Sequence, residues 1–250
     1  MIKLPRREHR KRFALIAGAA GLAVIVLVFA LVYFVVFPTS SPKPFKLSVT
    51  ETHSVASSTS ANGTESDASS AVGGQWRVVS GSQAGYRVRE KLAFLPAESD
   101  AVGRTSQITG AASLTRSQAG IGITAASFDV AVNTLKSDRS MRDEKIHEIG
   151  LESSRYPTAT FVLSKPFTLP ASASAGHVVS ASVTGVFDIH GTPKRETLPV
   201  EFRLSGATLQ AAGSLTFPWS EFGMTAPSIG GFVSVTGKAT MEFSLRLRRA

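Results

Sequence analysis

The 250-residue chain has no cysteine, which excludes disulfides, thiolate metal sites and thiol nucleophiles together. Histidine is scarce: His9, His53, His147, His177 and His190 are the only ones. None has metal-ligand spacing, since His147-Glu148 runs into Ile149, Gly150 and Leu151 rather than completing HExxH. No serine sits in GxSxG. The composition therefore argues for neither enzyme, cofactor nor metal centre. His190 beside Gly191 reads as a turn residue rather than a base. Basic residues exceed acidic ones, for a formal charge of +9. Much of that excess is local, and the rest is scattered along the chain rather than gathered in a stripe, which argues against a nucleic-acid partner.

Long apolar runs are missing too, with one exception. Phe13 to Phe37, FALIAGAAGLAVIVLVFALVYFVVF, carries no charged side chain. As a helix it would extend roughly 37 Å, enough to cross a hydrocarbon layer about 30 Å thick. A cleaved signal peptide would have a shorter apolar region and a small-x-small cleavage site; Pro38-Thr39-Ser40-Ser41-Pro42 follows instead. Residues 13–37 are therefore predicted to be a retained transmembrane helix. The preceding tail, 1–12, holds Lys3, Arg6, Arg7, Arg10, Lys11 and Arg12 against Glu8 alone. By the positive-inside rule this tail is cytoplasmic and everything after Phe37 is extracytoplasmic, so the predicted location is the cell membrane with a single pass.

Residues 38–74 are rich in Ser, Thr and Ala, too poor in large apolar groups to offset the entropy of ordering, and read as a flexible linker. Phe45, Leu47 and Val49 alternate within it, too briefly to be assigned a strand. From Gln75 the period changes to two, the strand signature. Val233, Val235, Gly237, Ala239, Met241, Phe243, Leu245 and Leu247 alternate with polar residues, and similar patterns run through Tyr86–Phe94, Val179–Ile189, Leu198–Leu204 and Leu209–Phe217. With Gln75–Ser80, Ser106–Leu114, Ile121–Val132 and Thr158–Ser164 this gives about eight or nine strands. Short connections such as Gly206-Ala207 suit antiparallel hairpins. Closing the sheet into a barrel would remove its edges. The predicted fold is all-β, an antiparallel barrel of about eight strands over residues 75–250, interrupted near 136–154 by a short helical insertion. Ser140 with Asp143 gives that helix a capping-box pattern, and Gly150 a stop.

Around this insertion the order Asn133-Thr134-Leu135, Asp138-Arg139, Met141-Arg142-Asp143, Ser154-Arg155-Tyr156-Pro157 and Ala159-Thr160-Phe161 resembles the YceI-like polyisoprenoid-binding proteins. Val183-Thr184-Gly185-Val186-Phe187-Asp188-Ile189-His190-Gly191-Thr192, Leu198-Pro199-Val200 and Phe222-Gly223-Met224 extend the resemblance. It implies a lipocalin-like barrel whose interior takes a long apolar isoprenoid or related lipid. After Trp76 the family often carries an Asp and a His-Ser pair, whereas this chain reads Arg77-Val78-Val79-Ser80.

The candidate ligand-binding residues are the inward apolar set Tyr86, Val88, Phe128, Phe161, Phe187, Phe202, Phe217, Met241 and Phe243. Such residues form either a dry, interlocked core or a tunnel lining. Small residues among the inward positions, Ala125, Ala181, Gly185, Ala211, Gly213, Gly237 and Ala239, favour room. Arg139, Arg142, Asp143 and Glu144 read as a solvated helix with local ion pairs, or as arginines guarding a barrel mouth. The leading functional reading is a membrane-tethered extracytoplasmic carrier of an isoprenoid-like or other long-chain apolar lipid. An envelope interaction module with a filled barrel is the alternative, and an enzyme working through His190 or Tyr86 a third.

Overall fold

The last strand, β12 (Val233–Arg249), carries the sequence's longest apolar-polar alternation, and four other strands pair along it. The computed structural model describes residues 41–47, 72–93, 98–231 and 233–250, and every secondary-structure element it describes belongs to the unit Pro42–Ala250. Among the described residues no helix is long and apolar enough to cross a membrane. The tail 1–12, the segment 13–37 and most of the expected linker lie outside them.

The other strands are β1 (Gly74–Val78), β2 (Gln83–Leu92), β3 (Ser99–Thr105), β4 (Ile108–Ser117), β5 (Gly120–Ala131), β6 (Thr158–Leu163), β7 (Phe167–Pro170), β8 (Val179–Ile189), β9 (Thr192–Ser205) and β10 (Thr208–Phe217), with a two-residue β11 (Ser228–Ile229) beside β12. All pairings are antiparallel. β1 and β2 follow one another along the same edge of β12, β3 and β4 do so along β1 and β2, and β6 and β7 do so along β5. Each of these pairs is one interrupted wall stave. The eight staves close on themselves through the β1–β12 pairing, so the barrel has no continuous open edge.

Positive-φ residues shape this sheet at two places. Gly237 (φ 68°) lies where the β12–β2 register shifts between Thr236 and Thr240, a bulge that bends the long strand. His190 (φ 56°) and Gly191 (φ 67°) form the two-residue turn between β8 and β9, as the His-Gly pair predicts.

One end of the barrel is packed solid. Trp76, Leu114, Ile121, Leu169, Ala173, Leu209 and Leu247 are all buried there, and the Trp76 indole N–H donates to the Val72 carbonyl at 2.8 Å. The other end receives the long β5–β6 connection, with α1 (Ser140–Lys145) continuing into a wider π turn at Ile146–Gly150. Helical structure ends at Gly150 as expected, but the capping box does not form. Ser140 is the first helical residue, and Asp143 Oδ1 instead accepts the Ser137 N–H at 2.8 Å.

Among the described residues the outer wall holds one buried charge. Glu242 is 2% exposed, paired with Arg104 at 2.8 Å and Arg87 at 3.3 Å. Residues 42–47, within the stretch expected to be a tether, lie across this pair. Arg87 donates to the Pro42 carbonyl and Arg104 to that of Lys43, each at 2.6 Å. The Phe45 ring stacks on the Arg104 guanidinium at 3.9 Å, and the Leu47 N–H donates to Glu201. The alternation of Phe45 and Leu47 thus marks a docked segment rather than a strand.

Candidate functional site

Inward positions of every stave converge on a cavity of about 180 Å³ between the solid end and the helical cap, far more than the ~10–15 Å³ one water needs. All nine predicted residues border it: Tyr86 and Val88 from β2, Phe128 from β5, Phe161 from β6, Phe187 from β8, Phe202 from β9, Phe217 from β10, Met241 and Phe243 from β12. Phe128, Phe161, Met241 and Phe243 point inward yet stay half-buried, because they face space instead of neighbours.

The room has a specific origin. The rings of Tyr86, Phe128, Phe161 and Phe243 come close against glycines of adjoining strands. A Cβ at Gly103 would stand 2.3 Å from the Tyr86 ring, at Gly110 2.6 Å from that of Phe128, at Gly185 2.1 Å from Phe161 and at Gly213 2.9 Å from Phe243. A ring seated on a cross-strand glycine shields that backbone while staying out of the lumen. Phe161 also packs on Phe187, ring centroids 4.7 Å apart. Small inward residues therefore act in two ways. Ala211 and Ala239 border the cavity directly, whereas Gly185 and Gly213 are covered by rings.

Three other small residues do neither. Ala125 is exposed because β5 carries an extra residue opposite Ser113/Leu114, and Ala126 takes the inward place. Gly237 is spent on the bulge. Ala181 packs against the core without lining the cavity.

The cap closes the cavity with Leu135, Ile146 and Leu151, and the segment after β10 adds Trp219 and Met224. None of these was among the predicted ligand-binding residues, although Leu135 and Met224 sit in the motifs that carry the family resemblance. Their signal, apolar residues inside a polar run, is visible in Ile146, Ile149 and Leu151, of which Ile149 is exposed. No described histidine borders the cavity. His147 clamps the cap, its Nε2 donating to the Leu135 carbonyl at 3.0 Å and its Nδ1 facing Ser153 Oγ at 2.8 Å. His190 packs on Tyr156, ring centroids 4.2 Å apart. Among the described residues no three His, Asp or Glu side chains gather in a metal-binding cluster.

The YceI-like domain family matches residues 76–247, from the solid end of the barrel to the close of β12. The chain belongs to that family. A comparison with curated protein sequences finds no match. Among solved structures, the polyisoprenoid binding domain from Saccharophagus degradans, implicated in plant cell wall breakdown, aligns with a TM-score of 0.51 at 14% identity, over 71% of this chain and 99% of that one. BcnA of Burkholderia cenocepacia aligns at 0.48 and 22% identity, over 66% and 95%. The YCEI protein of Campylobacter jejuni aligns at 0.45 and 12%, over 59% and 84%.

Within this YceI-like domain, the sequence motifs around residues 133–157 build the cap. Thr134 Oγ1 bonds Thr105 Oγ1 at 2.6 Å and the Ala131 carbonyl at 2.7 Å, tying the cap's root to β3 and β5. The arginines are not the solvated pair of a surface helix. Arg142 turns inward, with Nη2 2.7 Å from Glu90 Oε2, and also pairs with Asp138. Arg139 lies 3.8 Å from Asp138. Glu90 itself, an inward carboxylate of β2 that is 7% exposed, escaped the sequence reading.

Proposed function

We propose that this protein is a membrane-tethered extracytoplasmic binding protein whose barrel holds the apolar chain of an isoprenoid-like lipid, without chemistry of its own. The observation that carries this reading is the hydrocarbon-walled cavity inside a closed barrel. Membership of the YceI-like family and the fold shared with a polyisoprenoid binding domain agree with it. A filled-barrel interaction module would need no such space. A ligand burying about 400 Å² of apolar surface gains roughly 10 kcal/mol from transfer at ~25 cal/mol per Å². After association costs, micromolar or tighter binding remains within reach.

The tether rests on the sequence: the apolar run Phe13–Phe37 with its basic flank would hold the barrel beside a lipid source, with the domain outside. Two experiments test the two halves. Mass spectrometry of full-length protein extracted from membranes should recover a co-purifying isoprenoid-like lipid, and repeated recovery of empty protein would contradict the carrier. Because the chain lacks cysteine, Ser180→Cys on the exposed outer wall gives a unique label. A membrane-impermeant maleimide should modify it in intact cells, and labelling only after permeabilisation would overturn the topology.

A further inference from the structure

The large cavity is lined almost entirely by apolar side chains, and a buried ion pair stands beneath α1. There Glu90 follows Tyr86 and Val88 on the inward face of β2, and Arg142 reaches in to meet it. A small cavity of about 30 Å³ lies at this point, bordered by Tyr86, Val88, Glu90, Arg142 and Ile146 among others. Tyr86, Val88 and Ile146 are also walls of the large cavity, so the two spaces meet along these side chains.

Two buried donors here have nothing to donate to: Tyr86 Oη and Arg142 Nε have no hydrogen-bond partner. Ser137 is close to the phenol, but its hydroxyl donates to the Arg139 carbonyl and accepts from the Arg139 N–H and from Arg142 Nη1. Burial drives the Tyr86 pKa well above its ordinary value, so the phenol keeps its proton. Unpaired buried donors are costly and rare unless something fills them. Charge, by contrast, is already matched. Arg142 faces Glu90 and Asp138, Arg139 faces Asp138, and Lys145 is held by Glu148 at 2.6 Å, with Asp143 also near the phenol. A phosphate would meet the carboxylates of Glu90, Asp138 and Asp143 and, among the described residues, no uncommitted cation. A neutral oxygen meets only the two donors.

We propose that this corner is a head-group subsite for an uncharged oxygen, a hydroxyl or carbonyl at the end of the apolar ligand, which accepts hydrogen bonds from Tyr86 Oη and Arg142 Nε. The subsite deepens the lipid-binding reading and rests on it. Trp219 Nε1, a third unpartnered donor, borders only the large cavity and serves as the comparison.

The test uses full-length protein in one detergent and three probes with a common C20 skeleton: phytol, phytane, which lacks the oxygen, and phytyl diphosphate. Phytol should bind about 5–10-fold tighter than phytane, as one added hydrogen bond allows. Tyr86→Phe should narrow that gap without lowering the melting temperature, Trp219→Phe should preserve it, and the diphosphate should bind no tighter than phytol. A gap left undiminished by Tyr86→Phe, or a preference for the diphosphate, overturns the subsite. If phytane binds and phytol gains nothing, the subsite alone falls. If neither binds, the cavity reading falls with it.

Discussion

Glu90 stands where the alternation of β2 calls for an apolar side chain, and only Arg142 makes that place tolerable. Removing one member of a buried ion pair leaves the other uncompensated, typically at a cost of about 3–5 kcal/mol. Asp138 still faces Arg142, so Glu90→Ala should cost about 2–3 kcal/mol by urea denaturation. The double variant Glu90→Ala/Arg142→Met should recover most of that loss. Equal destabilisation in both would mean that the pair contributes nothing specific. Asp100 yields a pH prediction. Burial alone would raise its pKa, but hydrogen bonds from Arg89 and Arg87 outweigh that and hold it below the usual aspartate value. Its contribution is therefore complete above the unfolded pKa of about 3.9 and is lost as pH falls through the lower folded value. In melting curves, the advantage of wild type over Asp100→Asn should be constant near neutrality and shrink on acidification below that range. An advantage that grew instead would contradict the assignment. The signal for Glu90 was legible, a single charge interrupting Tyr86, Val88 and Leu92. Its partner was not, since nothing in sequence spacing connects β2 to a helix 52 residues later.

Strands with one apolar face were readable because burial on one side imposes a period of two. β3 was missed for the converse reason. In SDAVGRT the inward places go to Ala101, Gly103 and Thr105, while outward Val102 is buried, so neither face reads as apolar. Bulges were equally silent: the extra residue in β5 moves the lumen from Ala125 to Ala126, a change of face that composition cannot announce. The glycines beneath the aromatic rings supply the prediction at this scale. At Gly185 a methyl would meet the Phe161 ring at 2.1 Å and the Val162 backbone oxygen at 2.7 Å; Gly185→Ala should cost about 1–3 kcal/mol through overpacking. At Gly213 the nearest atom is the tip of Phe243 at 2.9 Å. That ring can swing into the lumen, so Gly213→Ala should keep most of its stability while weakening uptake of a hydrocarbon probe. Parallel denaturation and binding measurements check the contrast, and equal effects at both sites would refute the ring-on-glycine origin of the space.

The whole barrel divides into a solid end, an apolar chamber and a polar cap. The wall was legible as alternation and the chamber as an inward aromatic set. What set a tunnel apart from a dry core was the seating of four rings on glycines, a property of cross-strand register that appears only once the staves are aligned. The two tryptophans report separately on these zones. Trp76 is locked into the solid end with its N–H bonded, and Trp219 borders the chamber with its N–H free. Titrating full-length protein with phytol while following tryptophan emission is the most direct measurement. The account predicts a saturable change at one ligand per chain that disappears in Trp219→Phe. Emission that never changes, or a change that persists unaltered without Trp219, would contradict occupancy of the chamber.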